Sequence, residues 1–69
     1  MKISARNVIQ GTVKDVKTGP VNSQVSVDIG GGNHITSMIT SEAVQELELA
    51  SGKSVYVMIK ASEVILGTD

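Results

Sequence analysis

From Val21 to Ile29 the chain alternates in polarity, with Val21, Val25, Val27 and Ile29 on one side and Asn22, Gln24, Ser26 and Asp28 on the other. Side chains two apart in a strand share a face, so this pattern specifies a strand with one face in a core and one in water. Gly30-Gly31-Gly32-Asn33 follows, a run that tolerates positive φ, and alternation resumes from His34 to Ile39. The two segments therefore read as a β-hairpin.

The flanking segments extend this β pattern. Ile3 to Val16 is strand-like, but its apolar residues change phase: Ile3, Ile9 and Val13 are odd-numbered, Val8 and Val16 even. A bulge or bend between Asn7 and Gly11 would reconcile them, and Thr18-Gly19-Pro20 supplies a turn. Ala43, Val44 and Leu47 recur at helical spacing with Glu42, Gln45, Glu46 and Glu48 outward, which predicts a short helix from Ser41 to Leu49 capped by Thr40 or Ser41. Strands are expected from Ser54 to Ile59 and from Ala61 or Ser62 to Leu66. The result is an all-β domain with one short helix after the third strand, the element order of a five-stranded barrel of the oligonucleotide/oligosaccharide-binding (OB) type.

A chain of 69 residues is one domain at most and has little core of its own. It contains no cysteine and a single histidine, His34, so disulfides and a structural zinc site are unavailable to support it. Self-association is the remaining support. A net charge of −1 and a single aromatic ring, Tyr56, argue against nucleic-acid binding, which draws on basic patches and stacking rings. Neither a membrane-spanning apolar run nor a secretory leader pattern is visible, so a cytoplasmic location is expected.

Several polar groups suit a small tetrahedral dianion. On an N-terminal strand Ser4 and Arg6 would point the same way, and Arg6 and Lys60 offer a rigid donor fork and a point charge. A helix starting at Thr40-Ser41-Glu42-Ala43 would present unpaired amides, and Lys60-Ala61-Ser62 lies at a strand junction where amides are also free. The turn from Lys17 to Asn22 is a weaker candidate for a second anion. Taken singly, each has a plainer explanation: Arg6 pairing with a carboxylate, Thr40 or Ser41 capping a helix, Lys60 decorating a junction. Gly52-Lys53-Ser54 resembles the end of a P-loop, but Leu47 occupies the position that needs the first glycine. No nucleophile and base are paired, so no enzyme is expected.

Lys2-Ile3-Ser4-Ala5-Arg6-Asn7, Ile29-Gly30-Gly31-Gly32-Asn33, Ile35-Thr36-Ser37, Val44-Gln45-Glu46-Leu47 and Ile59-Lys60-Ala61 together resemble the molbindin (Mop) family of molybdate- and tungstate-binding proteins. The resemblance spans nearly the whole chain. It implies one Mop domain over residues 1–69, an OB-like barrel, and a hexamer built as a trimer of dimers that holds molybdate at subunit interfaces as an intracellular store. The implied ligands are Ser4, Arg6, Thr40, Lys60 and Ala61, with Ser62 adjacent. Asn22 and its turn belong to a second kind of site. Ala43 stands where many members carry serine, leaving only a backbone N–H there. The metal is held as its oxyanion, so no His or Cys ligand is required, and tungstate should compete. Two rival readings are a nucleic-acid-binding OB module and an oxyanion-sensing oligomerisation domain of a larger regulator, although the Met1 start and short Gly67-Thr68-Asp69 end suit a free-standing protein.

Overall fold

The computed structural model describes every residue from Met1 to Asp69. Its elements are β1 (Asn7–Lys17), β2 (Asn22–Gly30), β3 (Asn33–Thr40), α1 (Ser41–Glu46), β4 (Ser54–Ile59) and a single 3₁₀ turn at Ala61–Glu63. The strands form one antiparallel sheet in the order β3-β2-β1-β4. The hairpin predicted from the alternation is β2–β3, with Gly31 and Gly32 at its tip. Their φ values of 63° and 78° match the two-residue turn that follows strand twist.

Two strand predictions are corrected. Residues before Asn7 are in no ladder, because β4, the neighbour of β1 at that end, stops at Ile59. The expected fifth strand is instead the 3₁₀ turn followed by extended backbone without a partner. The structure is thus a four-stranded half-barrel of the OB-like class, with β3 and β4 both left as edges.

The phase change in β1 is real but lies further along than expected. Val13 pairs with Val27 and Asp15 with Ser26, so Lys14 is the extra residue of a bulge. Lys14 and Asp15 both face water, which lets Val13 and Val16 both face the core. Val8 simply points outward. At Gly11 the sheet closes tightly, since a Cβ there would lie 2.7 Å from the Asp28 carbonyl oxygen.

The core is small. Val13, Val25, Val27 and Val44 are its fully buried apolar residues, with Val16, Ile29, Ile39, Leu49, Val55 and Val57 packed around them. Between the β3 and β4 edges a cleft of about 260 Å³ opens onto this core. Leu47, placed inward by helical spacing, lines that cleft and is 58% exposed. At the C-terminus Ile65 and Leu66 are 93% and 88% exposed. The radius of gyration, 12.7 Å, exceeds the roughly 11 Å expected for a compact chain of this length.

Helix α1 is short because both ends are fixed. Thr40, extended at φ −67° and ψ 148°, accepts a 3.0 Å hydrogen bond from the Ala43 amide through its side chain. At the other end Leu49 N–H bonds to Val44 O at 3.0 Å and Glu48 N–H to Gln45 O at 3.1 Å, a Schellman closure. That closure puts Glu48 at φ 53°, where a side chain is disfavoured. Lys53 Nζ donates to Leu47 O at 2.9 Å and lies 3.8 Å from the Glu48 carboxylate, an exposed pair of little energetic weight. Glu48→Gly is therefore expected to stabilise the protein by about 0.5–1 kcal/mol. Urea midpoints compared at one protein concentration would check this.

Candidate functional site

Ser4 and Arg6 lie in bent backbone ahead of β1 and not on a strand. The β1–β4 ladder ends at the rung Asn7–Ile59, reinforced by a 3.2 Å bond from Asn7 Nδ2 to Ile59 O. Arg6 and Lys60 are each one residue beyond that rung, so both cations leave the sheet at the same end. Neither joins an ion pair; the chain's one salt bridge is Lys53–Glu48. The plainer reading of Arg6, a cross-strand partner for a carboxylate, does not hold here. Lys60 precedes the 3₁₀ turn in extended conformation, and Ala61 and Ser62, both exposed, begin that turn. Two cations without an ion-pair partner, a serine hydroxyl and the leading amides of a turn make this end of the sheet rich in donors.

Thr40, Ala43 and Asn22 form a second group. Asn22 pairs with Thr40 on the first rung of β2–β3. The Thr40 oxygen accepts from Ala43, while its own hydroxyl proton meets no protein acceptor. The Ala43 amide is therefore engaged, and the donor available to a ligand is the Thr40 O–H that it polarises. Ser41 is not the cap. Its hydroxyl donates to Gly19 O at 2.7 Å and lies 2.7 Å from Ser23 Oγ, while its amide donates to Val21 O at 2.8 Å. The sequence offers Ser41 only as a cap or part of the helix start and passes over Ser23, although Ser23 stands as a polar residue on the apolar side of the β2 alternation.

The two groups are not brought together. β1 begins at the Asn7–Ile59 rung and ends near the Lys17–Gln24 rung, beside which β2 starts and β3 finishes. Eleven residues of strand separate Arg6 and Lys60 from Thr40 and Asn22, roughly 30 Å at strand rise. None of the three main cavities is lined by Ser4, Arg6, Thr40 or Lys60. Each end of the sheet thus presents its own group of hydrogen-bond donors. No three His, Cys, Asp or Glu side chains are grouped to hold a cation.

A curled antiparallel half-barrel with one short helix and donor-rich sheet ends defines the class, a small OB-like binding module. The family model of the TOBE domain matches residues 3–66. A probable molybdenum-pterin-binding protein of Haemophilus influenzae is 48% identical over 69 residues, covering all of both chains. Among solved structures, MopII from Clostridium pasteurianum has a TM-score of 0.90 at 37% identity, over 97% of this chain and 100% of its own. The cytoplasmic molybdate-binding protein ModG, solved with molybdate bound, has a TM-score of 0.95 at 52% identity, over 100% of this chain and 49% of its own. The chain belongs to the TOBE-domain family, among its molybdenum-pterin-binding (Mop) proteins. These relatives are named for binding and not for a reaction.

Proposed function

We propose that this protein binds molybdate, with tungstate as a competitor, and serves molybdenum storage and homeostasis in the cytoplasm without catalysing a reaction. Each site takes Ser4, Arg6, Lys60, Ala61 and Ser62 from one copy and the Thr40 hydroxyl, polarised by the Ala43 amide, from another, in a hexamer arranged as a trimer of dimers. Residues 1–69 act as one domain. The observation that carries this is the separation of two partial donor sets at opposite ends of one sheet. Paired end against end, two copies supply donors around a dianion from several directions, and a two-fold relation makes two equivalent sites. Asn22, beside Thr40, and its turn are assigned to a second anion position.

Assembly is favoured by the thin core, the open cleft and the exposed Val64-Ile65-Leu66 segment, all of which gain from burial against another copy. Binding through donors alone suits a fully deprotonated oxyanion and leaves the proton of hydrogen phosphate unpaired. The nucleic-acid reading is not favoured, since one aromatic ring and a net charge of −1 provide neither stacking nor steering. No helix is long and apolar enough to cross a membrane.

Native mass spectrometry is expected to give six chains, and calorimetry to show molybdate binding. At a hundredfold excess over Kd the ligand should add about 2.7 kcal/mol to stability, visible as a higher melting temperature. A monomer with no heat of molybdate binding would refute the proposal.

A further inference from the structure

Ser23 is the only fully buried polar residue, 2% exposed in a row otherwise filled by Val25 and Val27. Burying a hydroxyl in an apolar row is unfavourable unless its hydrogen bond is made, and here the bond has a fixed direction. Ser41 spends its only hydroxyl proton on Gly19 O, so Ser23 must donate to Ser41 Oγ. The resulting line, Ser23 to Ser41 to Gly19, ties together the start of β2, the first residue of α1 and the turn between β1 and β2. The hydrogen bond that the Ser41 backbone N–H donates to Val21 O clamps the same point. Thr40 and Asn22, one residue from Ser41 and Ser23 respectively, are opposite one another on the adjoining rung. Neither serine hydroxyl has a donor left for a ligand.

We infer that Ser23 and Ser41 are positioning residues for the anion site, holding Thr40 so that its free hydroxyl faces the cations of the neighbouring copy. This rests on the oxyanion reading above and adds to it a fixed direction for one wall of the site. Without Ser41 Oγ, both the Ser23 hydroxyl and Gly19 O lose their partner, and the helix start is released from the turn. Without Ser23 Oγ, the bond from Ser41 to Gly19 survives, so its loss should be felt less.

The test is molybdate titration of the full-length protein by calorimetry, with native mass spectrometry of every variant. Ser41→Ala is expected to bind at least tenfold more weakly than wild type at unchanged assembly mass. Ser23→Ala should show a smaller loss. Ser41→Thr, which restores a hydroxyl at the first helical position, should recover affinity to within about threefold of wild type, a rescue that general destabilisation would not produce. If Ser41→Ala fails to assemble, the inference stands or falls on Ser23→Ala and Ser41→Thr. Wild-type affinity in Ser23→Ala and Ser41→Ala, or no rescue by threonine in an assembled protein, would overturn it. Absence of molybdate binding by wild type would instead remove the oxyanion reading itself.

Discussion

Arg6→Ala is expected to weaken molybdate binding roughly ten- to a hundredfold, the equivalent of losing a charge-assisted hydrogen bond worth about 1.5–3 kcal/mol. The side chain is exposed and pairs with no carboxylate, so assembly and melting temperature of the ligand-free protein should hardly change. Calorimetry on the assembled variant measures the loss, and unchanged affinity would remove Arg6 from the site. Because Arg6 and Thr40 sit at opposite ends of the sheet, the same variant tests whether a site is shared. Thr40→Val should also bind poorly, since it removes the hydroxyl and the helix cap. In a two-fold pair made of one Arg6→Ala and one Thr40→Val chain, one site carries both changes and the other carries neither. Random co-assembly should therefore return about a quarter of the wild-type number of tight sites. Mixed oligomers that recover none would show that the two groups do not meet across copies.

Ile65→Asp combined with Leu66→Asp should break the assembly. In an isolated chain both residues stand in water, 93% and 88% exposed, and exposed substitutions commonly change stability by less than about 0.5 kcal/mol. In an oligomer that buries them the outcome differs greatly. Each aliphatic side chain then forfeits about 1.5–3 kcal/mol of burial, and a carboxylate in its place must be desolvated. Sedimentation velocity should show smaller species, and molybdate binding should fall with them. A variant that sediments like wild type would exclude this segment from the interface.

The sequence specifies the elements whose partners are close in the chain. The β2–β3 hairpin is legible because alternation and the Gly31-Gly32 tip point to the same turn. Helix α1 is legible because Thr40 caps it and Val44 faces the core, although the Schellman closure at Glu48 ends it sooner than spacing suggests. What fails is what depends on absent neighbours. Ile3 to Arg6 and Val64 to Leu66 have strand-like composition, but a strand exists only beside another strand, and neither segment finds one within the chain. The phase of the apolar residues puts the bulge too early because Val8 breaks the alternation without facing the core, and a single exposed valine is ordinary. Arg6, Lys60 and Thr40 could be nominated by chemistry and by resemblance to the Mop family. That the first two lie at the far end of the sheet from the third is a property of strand order, which no local pattern encodes. The contact of Ser23 with Ser41, 18 positions apart, is likewise topological.

The bulge at Lys14 sets a rule for insertions and deletions. In a strand, adding or removing one residue turns every side chain beyond it to the opposite face. Losing any single residue between Asn7 and Val13, with the core pairing of β1 and β2 maintained, would flip the part of β1 ahead of it and redirect the bent segment that carries Arg6. Losing Lys14 would not, because Asp15 already faces the same way and would take its place in a regular ladder. Deletion scanning along β1 should find tolerance at this bulge, for Lys14 and equally for Asp15. Substitutions in β1 alter what the strand touches, but its length decides how the segment carrying Arg6 leaves the sheet.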